Sequence, residues 1–133
     1  DRIQVRPYVH DFLQRLQAMG KKVVLITNAH PDGMWLKLEA TQIDKNLDVV
    51  ISSHQFGAPK ESQDFWTALA ALENFDPART LFIDDTVRIL DSAKHFGIQH
   101  LLCIHQPDSR IPRRIDSYPA IDHFDEILPP LAS

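Results

Sequence analysis

Short continuous apolar runs alternate with apolar residues at helical spacing along most of the chain. The run Val23–Ile26 is typical of a short strand that is buried on both faces. Phe65, Trp66, Leu69 and Leu72 recur at the spacing of one helix face, which we expect to point inward. The predicted elements, in chain order, are a helix from Pro7 to Met19, a strand at 22–27, a helix from Pro31, a strand at 48–52, a loop at 54–60, a helix at 62–72, a strand at 81–84, a helix at 86–96 and a strand at 100–104.

Strands that alternate with helices of this length predict an α/β fold, a Rossmann-like parallel sheet with flanking helices. The last part of the chain, 105–133, has a different composition. It contains five prolines, so we expect an extended proline-rich tail with one short helix around Asp122–Leu128. The length of 133 residues suits one domain.

Composition and charge narrow the class of protein. Hydrophobic residues make up 44% of the chain and charged residues 24%, which is ordinary for a globular domain. The net charge of −4 and the lack of a basic stripe disfavour nucleic acid as a partner. Cys103, the single cysteine, lies in an apolar run and fits a reducing compartment. No leader pattern and no long apolar stretch is visible, so we expect no membrane span and a cytoplasmic location.

Two adjacent carboxylates, Asp84 and Asp85, stand at the end of the strand predicted at 81–84. Ligands of open α/β sheets bind at the carboxyl ends of the strands. Neighbouring carboxylates repel each other unless a cation lies near them, and Mg²⁺ suits such oxygen ligands. The alternative is that one Asp caps the next helix, which leaves the other carboxylate unexplained. Without a nearby cation, replacing either Asp by Asn should leave stability unchanged or raise it.

Other polar residues are predicted at the same edge of the sheet. Thr27 and Asn28 end the first strand, where a hydroxyl and backbone N–H groups can bind a phosphate, although turn chemistry is the simpler interpretation of the two residues alone. Lys60 precedes the third helix, where a positive charge is unfavourable unless an anion lies nearby. A solvated surface lysine is the simpler interpretation of Lys60 alone. Together with the Asp pair, these residues describe a phosphoryl-transfer site.

Three segments resemble motifs of a known family. The segments 23–28, 57–60 and 81–86 look like the second, third and fourth motifs of the haloacid dehalogenase-like hydrolases, and they occur in the same order. The resemblance extends from about Pro7 to Ile104. Within the family, the runs around Thr27 and Lys60 look like those of bacterial GMP/IMP nucleotidases.

The resemblance implies a role for each matching residue. Thr27 would donate its hydroxyl to the substrate phosphate, together with the backbone N–H of Asn28. Lys60 would neutralise the phosphate and serve as a catalytic residue. Asp85 would be the main Mg²⁺ ligand, with Asp84 assisting. The implied protein is a magnesium-dependent phosphomonoesterase that acts on a small phosphorylated metabolite, with IMP or GMP as the sharpest expectation.

One motif of the family is missing. Its members attack phosphorus with the first aspartate of an Asp-x-Asp motif that follows an amino-terminal strand, and these 133 residues contain no Asp-x-Asp. We therefore interpret residues 1–133 as the carboxyl-terminal part of a core domain without its first strand and cap, inactive by itself. In the family this strand lies between the strands predicted at 23–27 and 81–84. Its absence would leave strand edges open to a partner chain or to self-association.

Two other interpretations were weighed. A catalytically inactive phosphate-binding or regulatory module would keep the fold and the phosphate site but not the nucleophile. A signalling receiver domain also combines an Asp pair, a Thr and a Lys on a parallel sheet. In a receiver the acid pair should follow the first strand and the Lys the last. The order here, Thr27, Lys60 and then Asp84, disfavours it.

Overall fold

The computed structural model describes residues 8–105 and 118–129, which form two compact units. The first unit comprises residues up to Gln55 together with those from His123 onward, and the second unit comprises Phe56–Asp122. The first unit contains α1 (Val9–Ala18), β1 (Val24–Thr27), α2 (Pro31–Thr41) and β2 (Val49–Ser52), with 3₁₀ helices at Ile43–Asn46 and Phe124–Ile127. A further 3₁₀ helix, Ser53–Phe56, ends at the first residue of the second unit. The second contains α3 (Gln63–Glu73), β3 (Leu81–Asp84), α4 (Val87–Phe96), β4 (His100–Ile104) and β5 (Ala120–Ile121), with a 3₁₀ helix at Pro77–Arg79.

Both units contain parallel strands with helices between them, which confirms the α/β prediction. In the first unit β1 pairs with β2, and Thr27 stands opposite Ser52 at the carboxyl ends. In the second unit β4 lies between β3 and β5, and all three strands are parallel. Within the described ranges no strand pairs with the other edge of β1 or of β3.

The predicted helices and strands are confirmed to within about two residues at their ends, which is the usual uncertainty of such boundaries. Local chemistry accounts for several of these ends. Pro31 begins α2, and the Ser62 hydroxyl caps α3 by accepting the backbone N–H of Asp64. Gly97 ends α4 with a φ of 120°, a left-handed value that favours glycine.

The burial of some residues differs from the prediction. Leu72 was expected to point inward but is 56% exposed, whereas Phe65, Trp66 and Leu69 are buried. Leu72 lies in the last turn of α3, one residue before the helix ends at Glu73. The residues of β1 are half-buried rather than buried on both faces.

The tail differs in part from the prediction. The short helix is a 3₁₀ helix at Phe124–Ile127, and Phe124 packs against Phe12 of α1 with ring centroids 5.2 Å apart. Ala120–Ile121 forms β5, which was not predicted because two residues give no readable alternation. The remainder of the expected extended tail, 106–117 and 130–133, lies outside the described residues.

The packing of α3 gives a stability prediction. Leu69 is 5% exposed and Leu72 is 56% exposed on the same helix, so truncating the two should have different effects. We expect Leu69→Ala to lower the free energy of unfolding by about 2–5 kcal/mol, since it removes buried methyl groups and leaves a cavity. The control Leu72→Ala should change it by less than about 0.5 kcal/mol. Urea unfolding of both variants measures the difference, and equal losses would contradict the placement of Leu72.

Candidate functional site

A buried ion pair joins the end of β3 to the turn before α3. The Lys60 ammonium donates to the Asp84 carboxylate, with Nζ and Oδ2 2.9 Å apart. The side chains of Lys60 and Asp84 are only 11% and 7% exposed. Lys60 is therefore not a solvated surface lysine, and the anion expected near it is Asp84.

The second oxygen of Asp84 binds the start of α4. Asp84 Oδ1 accepts the backbone N–H of Thr86 at 2.9 Å, and the Thr86 hydroxyl donates to Asp85 Oδ1 at 3.1 Å. Thr86 is the N-cap residue of α4, and its own side chain makes no capping bond. Asp84 thus satisfies part of the helix start and binds a cation with the same carboxylate. The N-cap position is occupied by Thr86, so Asp84 is not the N-cap residue of the capping interpretation, and metal binding by the Asp pair stays a prediction.

Burial dominates the electrostatics of Asp84. Removal from water raises the pKa of Asp84 above 3.8, while the charge of Lys60, its hydrogen bond and the Thr86 N–H act in the opposite direction. The neighbouring Asp85 carboxylate also raises the pKa of Asp84, by a smaller amount. The Asp→Asn prediction applied to an Asp pair without a nearby cation, and this condition is not met at Asp84, because the Lys60 ammonium lies 2.9 Å from its carboxylate.

The two carboxylates at the end of β3 are enough to bind a hard cation such as Mg²⁺. Within 8–105 and 118–129, no group of three or more His, Cys, Asp or Glu side chains is placed to hold a metal ion. Mg²⁺ is usually bound by one or two carboxylates and keeps several waters, so Asp84 and the half-buried Asp85 fit its requirements in donor type and number. When bound, Mg²⁺ would supply positive charge to phosphate oxygens.

The segment after β1 forms a turn that is fixed by the end of β2. Thr27 Oγ1 accepts the backbone N–H of Ala29 at 3.0 Å, which leaves the hydroxyl hydrogen of Thr27 to be donated elsewhere. The fully buried Ser52 donates its hydroxyl to the Ala29 carbonyl at 2.7 Å, and His54 Nε2 contacts the Asn28 carbonyl at 3.1 Å. The turn interpretation of Thr27 is therefore confirmed, and it is compatible with a hydroxyl that donates to phosphate.

The structure brings together some of the predicted site residues. Lys60 contacts Asp84, and Asp85 lies next to Asp84 in the second unit. Thr27 and Asn28 belong to the first unit. Their convergence with the Lys60–Asp84 pair stays a prediction.

Comparison with known proteins shows the family. Residues 1–97 match the family of haloacid dehalogenase-like hydrolases. The chain belongs to the haloacid dehalogenase-like hydrolases. It is 43% identical over 121 residues to the GMP/IMP nucleotidase YrfG of Escherichia coli strain K12, an alignment that covers 90% of this chain and 54% of that protein.

One further relative supports membership of the haloacid dehalogenase-like hydrolases, and a solved structure shares the fold. A glyceraldehyde 3-phosphate phosphatase of Methanocaldococcus jannaschii is 31% identical over 97 residues, covering 71% of this chain and 42% of that protein. The solved structure of the hydrolase YfnB from Bacillus subtilis, described as bound to magnesium, superposes with a TM-score of 0.77 at 16% identity, covering 93% of this chain and 54% of that one. The chain spans about half the length of the curated relatives it matches.

Ser92 is a buried polar residue of this fold that the hydrophobic pattern of the sequence did not identify. Ser92 of α4 is buried, and its hydroxyl accepts the indole N–H of Trp66 and donates to the carbonyl of Glu61. One signal was available in the sequence, because helical spacing places Ser92 among the inward-facing Ile89 and Ala93.

None of the described helices is long and apolar enough to cross a membrane.

The ion pair predicts unequal effects of two neighbouring substitutions. Asp84→Asn removes the carboxylate charge that lies 2.9 Å from the buried Lys60 ammonium, and we expect it to lower the free energy of unfolding by about 3–5 kcal/mol. Asp85→Asn, the matched control, keeps the ion pair and should cost less than about 1 kcal/mol. Chemical unfolding at neutral pH measures both. If the Asp84→Asn variant were as stable as the unsubstituted chain, the ion pair between Lys60 and Asp84 would not contribute to stability.

The same ion pair predicts a pH dependence. In Lys60→Met the Asp84 carboxylate loses its cation, so burial and Asp85 raise the pKa of Asp84 further. Between 3.8 and that raised pKa the folded chain binds more protons than the unfolded chain, so the free energy of unfolding rises as the pH falls. We expect the loss caused by Lys60→Met to be largest near neutral pH and to shrink as the pH falls through this window.

Urea unfolding of the Lys60→Met variant and of the unsubstituted chain, at neutral pH and in the acidic window, measures this difference. Lys37→Met is the control, since Lys37 is exposed on α2 and should show a small, pH-independent difference. A loss for Lys60→Met that stays constant over the acidic range would mean that Asp84 does not titrate in this environment.

Proposed function

We propose that this chain is part of a magnesium-dependent phosphomonoesterase of the haloacid dehalogenase-like hydrolases. The substrate class is a small phosphorylated metabolite, and a purine nucleoside 5′-monophosphate, IMP or GMP, is the specific proposal. The observation that carries it is the buried Lys60–Asp84 pair at the carboxyl end of β3 in a member of this family. The 43% identity to a GMP/IMP nucleotidase supports the choice of substrate.

Each proposed residue has a distinct task. Thr27 donates its hydroxyl to a phosphate oxygen, and Asn28 contributes its backbone N–H. Lys60 stabilises the negative charge on the phosphate and on the attacking carboxylate. Asp85 is the proposed main Mg²⁺ ligand, with Asp84 assisting directly or through water.

The proposed reaction requires a nucleophile that these 133 residues do not supply. An aspartate carboxylate attacks phosphorus, the P–O bond to the nucleoside breaks, and water then hydrolyses the aspartyl-phosphate. We propose that this aspartate lies outside residues 1–133, which contain no Asp-x-Asp motif. The second edges of β1 and β3, which have no strand partner in the described ranges, support the proposal that a further strand pairs in this fold. Without it, the same edges are open to a second copy of the chain.

A second candidate function is an inactive phosphate-binding or regulatory module with the same fold. The observation that favours it is that residues 1–133 contain no Asp-x-Asp motif. Such a module would use Thr27, Asn28 and Lys60 to bind phosphate without hydrolysing the ester. Cytoplasmic location fits either candidate and remains a prediction.

An activity assay separates the two candidates. Phosphate release from IMP, GMP and a generic aryl phosphate is measured with and without Mg²⁺, for the 133-residue chain and for a chain extended upstream in its own gene. We expect no turnover by the short chain and magnesium-dependent turnover by the extended chain, with IMP and GMP preferred.

Variants and a size measurement complete this experiment. Lys60→Met in the active chain should lower turnover by about 10²–10³-fold, since it removes a charge aimed at the transition state. The control Lys37→Met should not change it. Turnover by the short chain would mean that it contains a nucleophile, and an inactive extended chain would support the module. Sedimentation of the short chain as a monomer at every concentration would contradict self-association through the strand edges.

A further inference from the structure

The backbone that carries Lys60 is held by side chains from two helices. Lys60 and Glu61 are the central residues of a turn that is closed by a hydrogen bond from the Ser62 N–H to the Pro59 carbonyl, 2.9 Å long. The Lys60 carbonyl accepts the indole N–H of Trp66 at 2.9 Å. The Glu61 carbonyl accepts the hydroxyl of Ser92 at 3.0 Å. Both central carbonyls of the turn therefore have a fixed donor.

Ser92 connects these bonds into one network. Its hydroxyl accepts from Trp66 Nε1 at 3.0 Å and from Gln63 Nε2 at 3.2 Å, while it donates to the Glu61 carbonyl. A serine hydroxyl has one donor and two acceptor sites, and all three are used here. Gln63 also donates to the Ser92 backbone carbonyl at 2.9 Å, which joins α3 to α4. We call Trp66, Gln63 and Ser92 the turn network.

Two of the three members of the turn network are buried, and Gln63 is half-buried. Trp66 is 1% exposed and Ser92 is 7% exposed. The Trp66 ring packs edge-on against Phe65 and Phe82, with centroids 5.1 Å away in both cases, which fixes the direction of its N–H. Buried hydrogen bonds are costly to leave unmade, so loss of one member forces the turn to shift or leaves polar atoms unsatisfied.

The turn network and the ion pair are connected through Lys60 itself. Trp66 and Ser92 bind the backbone carbonyls of Lys60 and Glu61, and the ammonium of the Lys60 side chain donates to Asp84. A lysine side chain has several rotatable bonds, so a fixed backbone reduces the set of places that its ammonium can reach. Packing of the Trp66 ring alone would not require the N–H to bond the Lys60 carbonyl.

We propose that Trp66, Gln63 and Ser92 are positioning residues that fix the turn at Lys60–Glu61 and thereby hold the Lys60 ammonium against Asp84. The importance of this for phosphate binding rests on the function proposed above for Lys60. The positioning itself does not depend on that function, so the two can be tested apart.

The first measurement follows the Lys60 ammonium directly. In the 133-residue chain, NMR of the lysine ammonium groups reports hydrogen exchange with water, and the Lys60 signal is identified by its disappearance in Lys60→Met. We expect Ser92→Ala and Trp66→Phe each to speed this exchange by about threefold to tenfold, the factor that corresponds to one net hydrogen bond. Both substitutions remove the bond between Trp66 and Ser92, but only Trp66→Phe removes the bond to the Lys60 carbonyl and only Ser92→Ala removes the bond to the Glu61 carbonyl. Either one therefore tests the network if the other does not fold.

Matched controls separate positioning from general loss of stability. Thr67→Ala removes a hydroxyl of α3 that donates to the Gln63 backbone carbonyl at 3.1 Å and is not part of the turn network. Trp35→Phe shortens the other tryptophan, which is 59% exposed on α2. Both controls should leave the exchange of the Lys60 ammonium unchanged. A merely structural role of Ser92 or Trp66 would lower the unfolding midpoint without altering this signal in the folded chain.

The second measurement is binding of inorganic phosphate in the presence of Mg²⁺, by titration of the same variants. If the Lys60 ammonium exchanges faster and phosphate affinity falls by a similar factor, both the positioning and the proposed role of Lys60 are supported. Faster exchange with unchanged affinity supports the positioning and counts against phosphate binding by Lys60. Unchanged exchange in folded Ser92→Ala and Trp66→Phe would overturn the inference, whatever the affinity.

Discussion

The buried ion pair between Lys60 and Asp84 is the interaction on which the second unit depends. Neither charge can reach water readily, because both side chains are nearly covered, so each needs the other. Asp84 has a further partner in the Thr86 N–H, and the Lys60 carbonyl accepts the indole N–H of Trp66. The cost of burying two charges is thereby distributed over a strand end, a helix start and a turn. A buried ion pair with fixed hydrogen-bond partners is typical of a site whose chemistry requires fixed charges.

The strand pairing gives the second constraint. β1 and β3 each have one partner strand in the described part of the chain, and both belong to parallel ladders. An unpaired strand edge leaves backbone N–H and C=O groups without ladder partners and favours pairing with another strand. The haloacid dehalogenase-like relatives are about twice as long as the aligned region. The proposed nucleophile strand would meet both the chemical need for a carboxylate and the structural need for a partner.

Much of the fold could be predicted from local patterns, whereas the burial at helix ends and the contacts between distant residues could not. Leu81–Asp84 and His100–Ile104 are strands as predicted, since short apolar runs between turn residues have few alternatives. Periodicity alone placed Leu72 inward, but α3 ends one residue later and leaves it exposed. For the site, Lys60 and Asp84 were predicted together, whereas their direct contact across 24 residues of sequence was not.

The sequence by itself determined the α/β class, the element order and the residues that carry the family resemblance, because hydrophobic period, proline, glycine and motif spacing all act within short windows. Only the tertiary structure decided which cation lies beside Asp84, which oxygen of Asp84 binds the start of α4, and that Ser92 joins Trp66 to the Glu61 carbonyl. These contacts join residues far apart in the chain, apart from the one to Thr86. Their geometry depends on how α3 and α4 pack around β3, since a hydrogen bond requires direction and distance that no local pattern specifies.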